Sequence, residues 1–257
     1  MSTLVKICGV TTPGDAALAA AAGADLVGFV LHPGARRGVT VGQAADIVTA
    51  VRDAGAEPVA VFVDQGPVEI ETLAESLGLG VVQLHGPPAK AARYELPAGL
   101  ARIVAVEVGP DGVVEVPAGL DPGRDLVLCD GPGGGAGVRL DWARLRPPAG
   151  ISWLLAGGLD VDNLTAALGL RPAGVDVSSG VCGPDPRRKD AARVRAFVQK
   201  LGLSFEVLLD PEGEVMRRYR VMGLPATFIV DRQGIIRSRI IGESTPEIFE
   251  AAIKDLL

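Results

Sequence analysis

The chain has 257 residues, of which 48% are hydrophobic, and its formal net charge is −6 at pH 7. That apolar share is large enough to bury a substantial core. The acidic balance argues against binding to nucleic acid or to anionic membranes, because both require a basic surface. The first residues lack the pattern of a signal peptide, and no apolar run is long enough to span a bilayer. We therefore expect a soluble cytoplasmic protein.

Strand and helix patterns alternate through the first 200 residues. Short runs rich in valine, isoleucine and leucine predict buried strands at residues 4–10, 26–31, 58–63, 80–84, 102–108, 126–130, 152–156 and 174–178. Other stretches predict helices at 13–22, 41–54, 68–77, 89–94, 141–145, 162–168 and 189–201. The connection 110–124 is rich in proline and glycine and is a poor helix candidate.

Eight βα units within about 200 residues predict a small (β/α)8 TIM barrel, which places its chemistry at the carboxyl ends of its strands. The alternative α/β fold is a doubly wound open sheet. Polar or glycine residues follow strands one, two, four, six, seven and eight, and a single switch point would not collect them all. The barrel is therefore the predicted fold.

The composition changes near residue 200, where isoleucine becomes much more frequent. We predict a domain boundary there, with a barrel over 1–200 and a β-α-β-β-α segment over 201–257. The elements predicted for this segment lie at 205–209, 214–221, 227–230, 235–241 and 246–257. A hairpin turn is predicted at 231–234, because Asp231-Arg232-Gln233-Gly234 has the composition of such turns.

Five short strings stand at the ends of predicted strands: Lys6-Ile7-Cys8-Gly9-Val10, Gln83-Leu84-His85-Gly86, Leu128-Cys129-Asp130, Ala156-Gly157-Gly158-Leu159 and Val175-Asp176-Val177-Ser178-Ser179-Gly180. Together they closely resemble the phosphoribosylanthranilate isomerase family of tryptophan biosynthesis, and the resemblance covers residues 1–200. It implies an isomerase without metal or cofactor that acts on a small-molecule phosphosugar, as a monomer or homodimer.

The reaction that the resemblance implies is an Amadori rearrangement, in which a ring-closed aminoaldose phosphate becomes a ring-opened aminoketose. It needs an acid that protonates the ring oxygen and a base that removes a proton from the adjacent carbon. The family motifs assign the base to Cys8 and the acid to Asp130. Taken alone, Cys8 is typical of a small buried hydrophobic residue, and Asp130 of a helix cap. Gly131 departs from the small hydroxyl residue that is usual after the acid.

The resemblance also implies the substrate contacts. Arg37 matches an arginine that faces the anthranilate carboxylate, although the adjacent Arg36 leaves the register open, and an ordinary surface arginine is the alternative. Gln83 and His85 are expected to line the pocket, with a structural role for His85 as the alternative, and Asp176 is expected near the sugar hydroxyls. Phosphate donors are expected in loops after strands six to eight, at Gly135, Gly137, Gly157, Gly158, Ser178, Ser179 and Gly180.

The tail resembles the C-terminal half of a thioredoxin-like thiol oxidoreductase. The resemblance is carried by Leu209-Asp210-Pro211-Glu212-Gly213, Val221-Met222-Gly223-Leu224-Pro225-Ala226-Thr227-Phe228 and the 231–234 turn. The half that would hold the redox cysteines is missing. The three cysteines, Cys8, Cys129 and Cys182, all precede the tail and form no Cys-x-x-Cys pair, so neither a zinc site nor a dithiol centre is predicted.

Two other functions are alternatives to this reading. A histidine-pathway aminoaldose isomerase would share the barrel and the phosphate loops, but that enzyme uses a carboxylate where this chain has Cys8. A thiol-redox or interaction protein defined by the tail is the second alternative. The absence of any cysteine after Cys182 argues against redox work, because disulfide exchange requires a thiolate.

Overall fold

The computed structural model describes residues 3–32, 34–86, 96–97, 99–109, 111–131, 140–201, 214–219, 221, 225–231, 233–242 and 244–254. The chain divides into two units, Met1–Val207 and Leu208–Leu257. None of the helices within the described ranges is long and apolar enough to cross a membrane.

Parallel strands close into a barrel in chain order in the first unit, which confirms the predicted fold. The strands are β1 (Leu4–Ile7), β2 (Leu26–Val30), β3 (Glu57–Phe62), β4 (Val81–Leu84), β5 (Ala101–Glu107), β6 (Leu126–Asp130), β7 (Trp153–Leu155) and β8 (Gly174–Val177). The last strand pairs with the first, and Lys6 lies opposite Asp176 in that register. Barrel closure therefore brings the first and the last barrel strands into contact, so that residues 170 positions apart become neighbours.

The described helices of the first unit are α1 (Pro13–Ala21), α2 (Val41–Asp53), α3 (Pro67–Ser76), α4 (Leu164–Leu168) and α5 (Ala191–Lys200). Three of these five helices, α1, α2 and α5, begin at residues whose side chains cap a free backbone N–H group. The Thr12 side chain accepts a hydrogen bond from the Asp15 N–H at 3.2 Å, and Thr40 and Gln43 form a capping box. Such caps fix where a helix starts. The helix predicted at 89–94 lies outside the described residues.

The helix predicted at 141–145 is wrong, because these residues form a turn. The Arg144 N–H donates to the Asp141 carbonyl, three residues back, at 3.1 Å. The Arg146 N–H then donates to the Gly112 carbonyl at 2.8 Å, which leads the chain away from a helical path. The two prolines that follow also disfavour helical backbone.

Alternation of side chains along the strands divides the apolar core into two layers. The inner layer, inside the barrel, consists of Val59, Ile103, Leu128, Leu154 and Ala156. The larger outer layer joins the strands to the helices and includes Cys129. Burial raises the pKa of Cys129 to about 12, so this thiol stays protonated and acts as a packing residue.

The second unit contains α6 (Glu214–Arg218), β9 (Ala226–Val230), β10 (Ile236–Ile241) and α7 (Pro246–Ile253). The two strands pair antiparallel, and the predicted hairpin turn at 231–234 is confirmed. The Asp231 N–H donates to the Ile235 carbonyl at 2.9 Å, and Gly234 has a φ of 81°, a conformation that favours glycine. The strand predicted at 205–209 lies outside the described residues.

Candidate active site

The carboxyl ends of β6, β7 and β8 surround a small open cavity, lined by Asp130, Ala156, Gly157, Gly158, Leu159, Asp176, Ser178 and Ser179. Six of these eight residues are ones that the sequence predicts for the site. Barrel enzymes place their chemistry at this end of the strands. Within the residues that the structure describes, no group of three or more His, Cys, Asp or Glu side chains is arranged to hold a metal ion.

Cys8 directly follows β1 and is hydrogen-bonded to the end of β8, where Asp176, Ser178 and Ser179 line the cavity. Cys8 is 8% exposed. The Ser178 hydroxyl donates to the Cys8 carbonyl oxygen at 2.9 Å, and the Cys8 N–H donates to the Val177 carbonyl at 2.8 Å. Cys8 does not itself line the cavity, but these bonds hold it against the residues that do.

Lys6 lies two residues before Cys8 on the inward face of β1 and is fully buried. Its Nζ lies 2.8 Å from Oδ1 of Asp176. Lys6 Nζ and Cys8 Sγ border the same space beside Gly28, at 3.1 Å and 2.9 Å from a Cβ built there. Burial raises the pKa of Cys8, and the positive charge of Lys6 opposes that rise. Burial alone would lower the pKa of Lys6, but Asp176 and Cys8 together raise it above its ordinary value. Lys6 is therefore a cation inside the barrel.

A second buried ammonium group, that of Lys189, lies just before α5. Its Nζ donates to the carbonyl oxygens of Cys8 at 2.6 Å and Ser178 at 2.9 Å, and lies 3.6 Å from Sγ of Cys182. Burial lowers the pKa of Lys189, and the neighbouring Cys182 and Cys8 sulfurs partly offset that effect. Lys189 thus joins the ends of β1 and β8 through their backbones.

Asp130 ends β6 with its carboxylate against the loop that follows β7. Its Oδ1 accepts a hydrogen bond from the Gly131 N–H at 2.8 Å. Gly157 has a φ of 82°, and a Cβ there would lie 2.9 Å from the Gly131 nitrogen and 3.3 Å from Oδ1 of Asp130. Only glycine fits at residue 157, because any side chain would displace the loop that holds Asp130.

The loops after β7 and β8 meet backbone to backbone. Gly158 has a φ of 69°, and a Cβ on Gly180 would lie 2.0 Å from the Leu159 carbonyl oxygen. Loops this close leave no room for side chains between them, and glycine lets a backbone approach an anion closely. The predicted phosphate residues Gly135 and Gly137 lie outside the described residues.

Arg37, rather than Arg36, lies across the end of β1. Its Cδ would be 2.8 Å from a Cβ on Gly9, which has a φ of +71°. Its Nε donates to the Pro186 carbonyl at 2.8 Å, whereas Arg36 is exposed. Of the two arginines that the sequence left open, the structure therefore brings Arg37 beside the strand end that carries Cys8.

Gln83 and His85 flank the end of β4, and neither lines the cavity. Gln83 is 4% exposed, and its Oε1 is buried without a hydrogen-bond partner in the part of the chain that the structure describes. An unsatisfied buried acceptor is costly. His85 is half-buried, and its backbone N–H donates to the Phe62 carbonyl at 2.8 Å.

Known proteins resemble this barrel along its whole length. The sequence profile described as N-(5'phosphoribosyl)anthranilate (PRA) isomerase matches residues 5–200. The chloroplastic N-(5'-phosphoribosyl)anthranilate isomerase 1 of Arabidopsis thaliana is 39% identical over 201 residues, which cover 76% of this chain and 73% of that protein. The isomerase of Chlamydia felis is 38% identical over 196 residues, 76% of this chain and 95% of its own length. The chain belongs to this isomerase family.

Solved structures of the isomerase family share the fold. The phosphoribosyl anthranilate isomerase of Thermus thermophilus superimposes with a TM-score of 0.64 at 34% identity, covering 78% of this chain and 98% of that one. A second structure, in complex with reduced 1-(o-carboxyphenylamino)-1-deoxyribulose 5-phosphate, superimposes with a TM-score of 0.60 at 29% identity and the same coverage.

The tail carries a different family pattern. The profile of the AhpC/TSA family matches residues 173–239, which confirms the predicted thioredoxin-like character. This match overlaps the isomerase match over residues 173–200. The second pattern therefore begins before the domain boundary predicted at residue 200.

The sequence assigned no role to Lys6 or Lys189, although both contact Cys8. A signal for Lys6 was available, because it shares the inward strand parity of Cys8 and a buried lysine needs an opposing charge. Lys189 gave no such signal, since it lies in a loop 181 positions from Cys8.

Proposed function

We propose that this chain isomerises N-(5-phosphoribosyl)anthranilate to 1-(2-carboxyphenylamino)-1-deoxyribulose 5-phosphate, with Cys8 as the base and Asp130 as the acid. Membership of the isomerase family supports the reaction. The observation that carries the assignment is the arrangement of strand ends. A carboxyl group and a thiol stand at the ends of β6 and β1, next to glycine and serine loops suited to a phosphate.

In the first step, Asp130 donates its proton to the ring oxygen of the sugar. The bond from that oxygen to C1 breaks, and the lone pair of the anilino nitrogen forms a double bond to C1. General acid catalysis of this kind requires the carboxyl group to lie next to the leaving oxygen. A position on the cavity wall suits Asp130 to this role.

In the second step, the Cys8 thiolate removes the proton from C2 and gives an enaminol. Protonation of C1 with loss of the proton from the C2 hydroxyl then yields the ketone, so no atom is gained or lost overall. Only the thiolate is a base. Because burial raises the pKa of Cys8, its thiolate requires a positive charge nearby in order to form.

The phosphate group is proposed to bind at the loops after β7 and β8. Gly157 and Gly158 have positive φ angles, which let the backbone approach an anion closely, and Ser178 and Ser179 add hydroxyl donors on the same cavity wall. We include Gly180 in this site because it packs directly on the β7 loop. These contacts would anchor one end of the substrate below the reacting carbons.

The rest of the substrate is proposed to contact four side chains. The Arg37 guanidinium faces the anthranilate carboxylate with its terminal nitrogens, because Nε is held by a backbone carbonyl. Asp176 binds the sugar hydroxyls with Oδ2, since Oδ1 is held by a lysine. Gln83 and His85, at the end of β4, are proposed to contact the substrate beyond the cavity that the ends of β6 to β8 surround.

The direct test is a fluorescence assay of the full chain with N-(5-phosphoribosyl)anthranilate, run beside the aminoaldose phosphate of the histidine pathway. We expect turnover of the anthranilate compound and none of the other. Turnover of the histidine-pathway compound alone would replace this proposal with the alternative isomerase.

Assembly and location are part of the proposal. We expect a monomer or a homodimer, and a relative from Thermotoga maritima is described as dimeric. We also expect a reducing compartment such as the cytoplasm, because Cys8 must remain a free thiol, although the Arabidopsis relative is chloroplastic. Sedimentation equilibrium of the purified chain measures the oligomeric state.

A further inference from the structure

The proposed mechanism gives no direct task to Lys6, yet this lysine lies at the centre of the site. It is fully buried, so it cannot touch a substrate in the cavity. Burying an ammonium group is costly unless opposing charges and hydrogen bonds surround it. An apolar side chain would fill the same position in the barrel without that cost, so the contacts of Lys6 indicate what its charge does.

Lys6 is shared between two residues of the proposed site. On one side its Nζ lies 2.8 Å from Oδ1 of Asp176, directly across the β1–β8 register. On the other side its Nζ lies near the thiol of Cys8, because both atoms border the space beside Gly28. Gly28 on β2 leaves the room for this contact, because a Cβ there would lie 2.9 Å from Sγ of Cys8 and 3.1 Å from Nζ of Lys6.

The charges that face Cys8 come from several elements. Lys6 on β1 and Lys189 before α5 are positive and favour the thiolate, whereas Asp176 on β8 is negative and opposes it. Arg37, after β2, adds positive charge next to Lys189. Among these groups Lys6 opposes the effect of burial on the Cys8 thiol most strongly.

We propose that Lys6 is a positioning residue whose ammonium group holds the Asp176 carboxylate in place and supplies the positive charge beside which the Cys8 thiolate forms. One buried cation then links the base to the carboxylate that binds the sugar hydroxyls. This inference rests on the proposed function for its consequence in turnover, but the effect of Lys6 on the Cys8 thiol is independent of any substrate.

The experiment breaks the same ion pair from each side. Lys6→Met removes the cation, and Asp176→Asn removes the carboxylate. If the ion pair served stability alone, the two substitutions would have the same effect on the ionisation of Cys8. If Lys6 instead stabilises the thiolate, Lys6→Met makes Cys8 harder to ionise and Asp176→Asn makes it easier. We expect the thiolate fraction at a fixed alkaline pH to differ between the two variants by about tenfold, which corresponds to one pKa unit.

Thiolate absorbance at 240 nm measures this directly. Each variant is titrated against the same variant carrying Cys8→Ser, so that the difference reports only Cys8 and requires no reagent to enter the barrel. Equal titration curves for the two variants, or a shift of the same sign in both, would overturn the proposal.

Lys6→Met leaves Asp176 without its partner and is the variant that is most prone to misfold. The double variant Lys6→Met/Asp176→Asn avoids an unpaired buried charge. The Cys8 titration midpoint of this double variant should still lie at a higher pH than that of Asp176→Asn alone. An unchanged midpoint in that comparison would also overturn the proposal.

Turnover separates this inference from the proposed function. If the wild-type chain isomerises the substrate, the loss of rate in Lys6→Met should shrink as pH rises, because the thiolate is restored. A loss that is equal at every pH would reduce Lys6 to a structural residue. Opposite titration shifts in a chain without any turnover would contradict the proposed function and leave the role of Lys6 standing.

Discussion

Nζ of Lys189 lies 2.6 Å from the backbone carbonyl oxygen of Cys8, although the two residues are 181 positions apart. The same ammonium group reaches the Ser178 carbonyl at 2.9 Å. One buried side chain therefore holds together the ends of β1 and β8. Because these ends carry the proposed base and part of the proposed phosphate site, Lys189 should influence both stability and substrate binding.

Replacing this lysine tests that relationship. Lys189→Met removes the ammonium donor that two backbone carbonyl groups share, so we expect the free energy of unfolding to fall by about 1 kcal/mol. The Michaelis constant should also rise, because the loop at Ser178 is no longer tied to β1. Urea denaturation and steady-state kinetics measure the two effects. Lys254→Met, at an exposed lysine, is the control, and identical behaviour of both variants would contradict the prediction.

Replacing Cys8 should abolish most of the turnover, whereas replacing Cys129 should not affect it. Cys8→Ala removes the proposed base, and we expect kcat to fall by about 10³-fold while the circular dichroism spectrum is retained. Cys129→Ala should keep its turnover, since Cys129 faces the outer core layer and its pKa is raised to about 12. Asp130→Asn should behave like Cys8→Ala. Normal turnover in Cys8→Ala would exclude the mechanism.

A charge placed in the loop after β7 tests the position of the phosphate. Gly158 has a φ of 69°, so Gly158→Glu and Gly158→Gln impose the same backbone strain and differ only in charge. We expect the glutamate variant to have a Michaelis constant about tenfold higher than the glutamine variant, because a carboxylate repels the phosphate dianion. Equal constants would indicate that the phosphate binds elsewhere.

A buried ion pair at the opposite end of the barrel should govern stability in acid. The Asp125 carboxylate accepts from Nε and from the backbone N–H of Arg102, both at 3.1 Å, and from the Asp121 N–H at 2.8 Å. Burial alone would raise the pKa of Asp125, but these hydrogen bonds outweigh it and hold that pKa below its ordinary value. A lowered pKa means that the stabilisation is present above the unfolded value, about 3.9, and is lost as pH falls.

We expect Asp125→Asn to lower the free energy of unfolding by about 3 kcal/mol, because it removes the buried carboxylate charge that pairs with Arg102. The difference in the free energy of unfolding between the variant and the wild type should become smaller as the pH is lowered. Asp141→Asn removes the exposed pair with Arg144 and should cost less than about 1 kcal/mol. Denaturant titrations at several pH values measure all three chains. If the difference in the free energy of unfolding stayed the same at every pH, the Asp125 carboxylate would not govern stability in acid.

The tail should be dispensable for the isomerase reaction. A chain that ends at Leu201 keeps every proposed site residue, and we expect its kcat/KM to be unchanged. A chain that ends at Asp190 lacks α5, whose Val194 and Phe197 are fully buried, and should not fold. The full chain should also show no dithiol-dependent disulfide reduction, because its cysteines are free and all precede the tail. Loss of activity in the first truncation would make the tail integral to the enzyme.

Local sequence patterns were sufficient for the order of the barrel strands. The strand predicted at 126–130 is found at Leu126–Asp130, because a strand buried on both faces is a continuous apolar run whose ends are marked by polar and glycine residues. The strand predicted at 4–10 was too long. The chain leaves the sheet after Ile7, and the positive φ of Gly9 turns it over the barrel end.

The sequence by itself therefore determined the barrel, the strand ends and, through its family motifs, the proposed pair Cys8 and Asp130. Only the tertiary structure showed that Lys6 and Asp176, 170 positions apart, form a buried ion pair beside Cys8. It alone showed that Arg37 lies beside Gly9 at the end of β1 whereas Arg36 is exposed. Hydrophobic periodicity acts over a few residues and sets the face of each side chain, whereas these contacts exist only after β8 pairs with β1 and closes the barrel.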